Sequence, residues 1–293
     1  MTNNNEWIVF DGDLIPAEQP VVPAVSRGLM YGDGLFETIR TYSGQTLFFD
    51  EHINRLQRGM DTLGIPNSPD LNQVRLKTFI ARLIAKNNLS GQDAIIRLQV
   101  WRDGQRGYEP EPDTETHLSI TISACPDHFS FPSLATVDRR RIPTEALPST
   151  AKFTNGINYI LAAREASESN ADDALMQTVD GWVSETTIAN VFWAHENTIF
   201  TPSVDCDLVP GITRQILIDI IRRSKNYQLE RGEFPLQKLF AADVVWICNS
   251  VRELLPVRQI DDIAFSTKST LLSDLRHRFE TYRNKNLELL PNQ

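Results

Sequence analysis

The 293 residues are 41% hydrophobic and 23% charged, with 14 Gly and 16 Pro, which excludes collagen-like, low-complexity and disordered chains. A net charge of −9 argues against a broad nucleic-acid surface, and three scattered cysteines (Cys125, Cys206, Cys248) without a CxxC pair argue against a disulfide framework or a metal knuckle. No apolar run reaches membrane-spanning length, and the opening MTNNNEWIVFDGD lacks the basic start and apolar stretch of a leader, so a soluble protein of a reducing cytoplasm, with no metal site, is expected.

In chain order, Trp7-Ile8-Val9-Phe10 reads as a strand running into the turn Asp11-Gly12-Asp13. Leu35 to Tyr42 reads as a strand ending at Ser43-Gly44, with Leu47-Phe48-Phe49 as its hairpin partner. Two helices follow. Asp50 is a candidate cap for the first, which carries Ile53, Leu56, Met60 and Leu63; the second carries Leu76, Phe79, Ile80, Leu83 and Ile84. Both stripes are read as core. Ala94 to Trp101 and Leu118 to Ile122 alternate as strands, separated by a polar loop with Gly104, Gly107 and Pro110. The proline-punctuated residues 125–133 are taken as a linker between an N-terminal domain (1–124) and a C-terminal domain (134–293).

The second half restarts with a strand near Ala135-Thr136-Val137 and a helix from Ile157 to Ala166, with Ile157, Ile160, Leu161 and Arg164 at helical steps. Strands are expected at Asp173–Met176, Trp182–Ser184, Asn190–Trp193 and Thr198–Phe200, a helix after Pro210-Gly211, a buried strand at Val244–Cys248, and a helix from Ser266 to Asn284. The fold class is α+β, two β-rich halves with helices outside, and no internal repeat.

Four local signals bear on chemistry. Leu208 to Arg214 opens an amphipathic helix, where free backbone N–H groups, a Gly and a Thr hydroxyl suit a phosphate; an ordinary loop-to-helix junction uses the same residues. Lys152 stands in an uncharged stretch, as a nucleophilic amine would; a solvated surface lysine is the commoner case. Glu185 sits between two strand-like segments, either a buried carboxylate facing a cation or an exposed acid in a turn. Arg55, inside the first helix, either points at an anion or snorkels.

Read together, the chain resembles the class IV, fold type IV, pyridoxal-5′-phosphate enzymes, over roughly residues 25 to 257. The markers, in order, are Tyr31-Gly32-Asp33-Gly34-Leu35-Phe36-Glu37-Thr38-Ile39-Arg40, His52-Ile53-Asn54-Arg55-Leu56, Lys152 with Asn155, Ser184-Glu185 with Asn190, Pro210-Gly211-Ile212-Thr213-Arg214, and Asn249-Ser250 before Pro256. The resemblance implies that Lys152 is the catalytic lysine that holds the cofactor as a Schiff base. It implies that Glu185 pairs with the pyridine nitrogen and that Arg55, Ile212, Thr213 and Ser250 hold the phosphate. It further implies a smaller N-terminal α/β domain and a larger C-terminal barrel-like α/β domain, the cofactor at their interface, and a homodimer. Neither nucleic acid nor membrane is an expected partner.

Several stretches look most like aminodeoxychorismate lyases: Tyr31 to Gly34, His52 to Gln57, Arg102 to Tyr108, Ala189 to Trp193, and Cys248-Asn249-Ser250. Branched-chain aminotransferases usually carry a Tyr four or five residues after the lysine; here those positions are Gly156 and Ile157, with Tyr159 further on, which leaves the partner of the cofactor phenol oxygen open. The expected reaction passes through an external aldimine of 4-amino-4-deoxychorismate to 4-aminobenzoate, a folate precursor, and pyruvate. A substrate with two carboxylates needs more than one cation, and Arg40, Arg97, Arg106 and Arg252 are the candidates. An aminotransferase of D-amino-acid or branched-chain type using 2-oxoglutarate needs the same cations and stays open as the alternative. A binding module that has kept the fold and lost the chemistry would have damaged Lys152 or Glu185, and both are present.

Overall fold

A computed structural model describes residues 6–19, 22–112 and 114–291. Residues 1–5, part of the stretch read for a leader, lie outside the described residues. Contacts divide the chain into two units, Met1–Asp127 with Thr150–Asn155 and Asn286–Gln293, and His128–Ser149 with Gly156–Lys285.

The first unit contains β1 (Trp7–Phe10), β2 (Asp13–Pro16), α1 (Arg27–Tyr31), β3 (Gly34–Tyr42), β4 (Gln45–Leu47), α2 (Phe49–Leu63), α3 (Gln73–Lys86), β5 (Ala94–Arg102) and β6 (Thr116–Ala124). Its antiparallel sheet has seven strands, with β3 between β4 and β5 and the returning segment Leu287–Leu289 on the edge beside β4. Alternation along β3 and β5 sends Leu35, Ile39, Ile96, Leu98 and Val100 into a core with the stripes of α2 and α3. The opposite face carries Phe36, Thr38, Arg97, Gln99, Ser119 and Thr121, all partly exposed, in register across three strands. One expectation needs correction: Asp50 does not cap α2. The cap position is Phe48 in the left-handed region (φ 53), and Asp50 falls in the first turn, because Phe49 is drawn wholly into the core. Phe48 and Phe49 therefore leave the hairpin strand, which ends at Leu47.

The second unit contains β7 (Ser133–Arg140), α4 (Ile157–Glu168), β8 (Asp173–Gln177), β9 (Val183–Thr186), β10 (Asn190–His195), β11 (Thr198–Pro202), α5 (Ile212–Arg223), β12 (Gln228–Gly232), α6 (Leu236–Phe240), β13 (Val244–Asn249), β14 (Glu253–Pro256), β15 (Gln259–Ile260), β16 (Ile263–Ala264) and α7 (Thr270–Lys285). Its strand path branches at β10, which pairs with β9, β11 and β13. The strands around that branch are buried nearly throughout, so their apolar runs are continuous rather than alternating. In α4 the buried side is Ala162 and Ala166, while Ile157, Ile160 and Leu161 are exposed.

Candidate active site

In the first unit, Lys152 belongs to a segment sewn onto the start of β3. The Phe36 amide donates to the Lys152 carbonyl (2.9 Å), the Thr154 amide donates to the Gly34 carbonyl (3.0 Å), and Ala151 enters the core. These bonds fix the lysine backbone to a sheet although the chain before Thr150 and after Asn155 belongs to the second unit. The half-buried Lys152 ammonium lies 4.5 Å from the centre of the Phe36 ring. The Arg97 guanidinium lies 3.9 Å from the same ring and donates to Gln99 Oε1 (3.2 Å). Burial lowers the Arg97 pKa, and among the described residues no carboxylate pairs with it.

Below this face, Arg55 points inward. Its Nε and Nη2 donate to the two oxygens of Glu37, both at 2.7 Å, and His52 Nδ1 donates to Glu37 Oε2 at 2.7 Å. Glu37 is 1% exposed. Burial alone would raise its pKa; Arg55 and His52 overcome that and hold the carboxyl well below the usual range. Burial pushes the His52 imidazole down, with Arg55 and Lys152 adding to the effect against Glu37. Arg55 is thus a fixed guanidinium, oriented by an acid that the sequence reading quoted without giving it a role.

In the second unit, Glu185 is 4% exposed and surrounded by donors. Tyr159 Oη (3.0 Å) and Arg141 Nε (3.3 Å) meet Oε1; Asn190 Nδ2 (3.2 Å) and the Val209 amide (3.1 Å) meet Oε2. Arg141 is itself buried, over the Tyr159 ring at 4.5 Å. Burial and Glu185 raise the Tyr159 pKa against Arg141, so its hydroxyl stays protonated. Asn190 also donates to the Val209 carbonyl (2.9 Å), tying Glu185 to the turn that opens α5. Among the described residues no side chain caps α5 at Gly211, so the first amides of a 12-residue helix, with Ile212 and a buried Thr213, form an anion-ready end. A Cβ on Gly211 would stand 2.1 Å from Asn190 Oδ1, so only glycine allows this approach. Ser250 lies in the turn after β13. The Asn249 side chain shapes that turn by accepting from the Val251 and Arg252 amides and donating to the Ile188 carbonyl.

In the second unit Asn190 thus joins Glu185 to the turn before the Ile212–Thr213 helix start, and the Ser250 turn belongs to the same unit; Lys152, Arg55 and Arg97 belong to the first unit. Arg40 is engaged by Asp93 at 2.7 Å and lies over Tyr42. Arg106 is exposed in the loop after β5, and Arg252 is half-buried near Phe129. Sequence reasoning missed Glu37, Arg141 and Tyr159 as members of these networks. The only signal for them was polarity beside the markers, because each meets its partner from far along the chain.

Residues 34–260 match the family model for amino-transferase class IV. The chain is 33% identical to the aminodeoxychorismate lyase of Vibrio harveyi, covering 83% of this chain and 88% of that protein. It is 26% identical to a D-alanine aminotransferase of Listeria monocytogenes, over 87% and 88%. The branched-chain amino acid aminotransferase structure from Escherichia coli superposes with a TM-score of 0.88 at 23% identity, covering 98% of this chain and 100% of that one. The chain belongs to the class IV aminotransferases, a family of pyridoxal-phosphate enzymes.

Proposed function

We propose that this chain is a 4-amino-4-deoxychorismate lyase that uses pyridoxal 5′-phosphate. Two features suit its residues to that cofactor: a buried carboxylate, Glu185, held by four donors, and a helix start at Gly211 that a Cβ would fill. Glu185 would accept the ring N–H of the bound cofactor. The phosphate is assigned to the Ile212 and Thr213 amides, the Ser250 hydroxyl and the Arg55 guanidinium, which Glu37 and His52 hold in orientation.

When bound, the cofactor supplies an electron sink for the charge released at the substrate carbon. Lys152 takes the proton from the ring carbon that bears the amine. The bond from the neighbouring carbon to the enolpyruvyl oxygen breaks with its electron pair leaving on that oxygen, the ring becomes aromatic, and the departing enolate takes up a proton at its terminal carbon to become pyruvate. Glu185, held by its donors, would keep a proton on the ring nitrogen. Arg97 is the observation that carries the reading of an anionic substrate. It is a partly desolvated cation without a carboxylate partner among the described residues, sharing the Phe36 ring with Lys152. Arg106 and Arg252 are the further carboxylate ligands; Arg40 is left out because Asp93 already engages it.

The alternative is an amino-acid aminotransferase with 2-oxoglutarate, favoured by the D-alanine aminotransferase likeness and equally served by Arg97. We also infer a homodimer, supported by the exposed Ile157, Ile160 and Leu161 of α4. Product analysis separates the two reactions. The cofactor-loaded protein is given 4-amino-4-deoxychorismate, and in parallel L- and D-amino acids with 2-oxoglutarate. Rapid release of 4-aminobenzoate and pyruvate is expected, with slow glutamate formation; glutamate from one amino-acid series without 4-aminobenzoate would move the chain to the aminotransferases. Lys152→Ala is expected to abolish either activity and the yellow colour of the loaded protein.

A further inference from the structure

The loop after β5 is held by one side chain that no motif assigned. Arg27, in α1, is 3% exposed. Its Nη1 donates to the carbonyls of Gln105 (3.2 Å) and Gly107 (2.6 Å), and its Nη2 donates to the carbonyl of Tyr108 (3.3 Å). Its Nε donates to Asp33 Oδ2 (2.8 Å). The same short helix supplies Tyr31, whose hydroxyl accepts from the Gly107 amide (3.0 Å) and whose ring meets Tyr108 at 5.6 Å. Arg106 is the residue between the two carbonyls that Nη1 grips. Its own side chain is exposed, and Tyr108 beside it is 92% exposed.

The charges explain why the grip is tight. Asp33 is shared with Arg102, which meets both its oxygens at 3.1 Å and donates onward to the Leu63 and Gly64 carbonyls. Two buried guanidiniums thus stand on one carboxylate, and the surplus positive charge is met by carbonyl dipoles. The loop carbonyls in turn lose their donors if Arg27 is removed. A lysine places one point charge where a planar fork serves three carbonyls and a carboxylate.

We propose that Arg27 is a positioning residue for substrate binding: it fixes the backbone of residues 104–108 and so presents Arg106 to the substrate's second carboxylate. This rests on the reading of Arg106 as a carboxylate ligand. Both candidate substrates carry two carboxylates, so it holds for the lyase and the aminotransferase alike.

The test compares wild type, Arg27→Lys, Tyr31→Phe, Arg106→Ala and the double variant Arg27→Lys/Arg106→Ala, all cofactor-loaded. The loop is read by tryptic cleavage of the Arg106–Gly107 bond, located by mass spectrometry, and by amide exchange of residues 104–108. Arg27→Lys is expected to speed that cleavage and to raise KM for the dicarboxylate about tenfold, with kcat within about threefold. Tyr31→Phe, which removes a single acceptor and is the variant to use if Arg27→Lys does not fold, is expected to shift both in the same direction by less. Arg27→Lys should add nothing to the KM of Arg106→Ala. Unchanged cleavage and exchange in Arg27→Lys overturns the proposal, as does a loosened loop with unchanged KM. If Arg106→Ala leaves KM alone while Arg27→Lys raises it, the reading of Arg106 fails and the positioning role stands, exercised through another group of the loop.

Discussion

Individual residues in this chain are explained by what surrounds them more than by what precedes them. Lys152 stood out in the sequence because charged neighbours are scarce around it, and Glu185 because it sits between two strand-like segments. Arg27, Glu37, Arg141 and Tyr159 did not, because each meets a partner in another element. The contrast has a physical origin: a buried charge is stable only where donors and acceptors converge, and convergence is three-dimensional. His117 is a further case. Its Nδ1 meets Asp11 at 2.7 Å, its Nε2 lies 3.5 Å from Asp103, and its ring stacks against Phe10 and lies tilted against Trp101. Burial lowers its pKa, but the two carboxylates more than compensate and the net shift is upward. A raised folded-state pKa means that protonation stabilises the fold. The contribution is complete below the ordinary histidine pKa and is lost as pH rises through the raised one. The urea midpoint of wild type minus that of His117→Asn should therefore be larger near pH ~5.5 than near pH ~8.5. A difference independent of pH would show that His117 acts through its ring packing instead.

At the scale of elements, periodicity was a good guide wherever an element was long enough to show it. The stripes of α2 and α3 are buried as read except for Leu63, which is partly buried, and β5 alternates so that Arg97 faces away from the core. The five-residue α1 was not anticipated, since so short a helix has no period to read. The start of α2 was misread because a polar residue near a helix start suggests a cap, whereas the demand of Phe49 for the core set the geometry. The start of α5 is where element and chemistry coincide. Gly211→Ala should cost on the order of 2 kcal/mol through the clash with Asn190, lowering the melting midpoint by roughly 4–8 °C. It should also weaken cofactor binding beyond that stability loss, because Asn190 holds both Glu185 and the Val209 turn. Calorimetry and cofactor titration check both. A midpoint within about 1 °C of wild type would mean that the backbone yields without cost.

For the whole molecule, the α+β class followed from the order of elements, while the branch of strands at β10 did not, since strand pairing is a non-local property. The helical spacing of Ile157, Ile160 and Leu161 was visible in the sequence. It marks an exposed face rather than a buried one, because Ala162 and Ala166 take the sheet side. Ile160, 62% exposed, should therefore tolerate a charge within the folded chain but not within a dimer. Light scattering should give twice the chain mass for wild type. Ile160→Glu should weaken association by at least about tenfold with an unchanged circular dichroism spectrum. A dimer of undiminished strength in the variant would place the contact elsewhere.

The edge strand Leu287–Leu289 and the lysine-bearing segment Thr150–Asn155 both complete a sheet whose other strands are contributed by the first 124 residues. During synthesis that sheet therefore stands unfinished for most of translation, with β4 presenting an open edge until residues 287–289 have been made. A fragment ending at Asp127 would keep the α2–α3 core but lack both Lys152 and the strand that covers β4. The two units thus cannot be expressed as separate halves by cutting the chain once, and a nascent chain stalled in the middle of the second unit exposes an adhesive edge on the first.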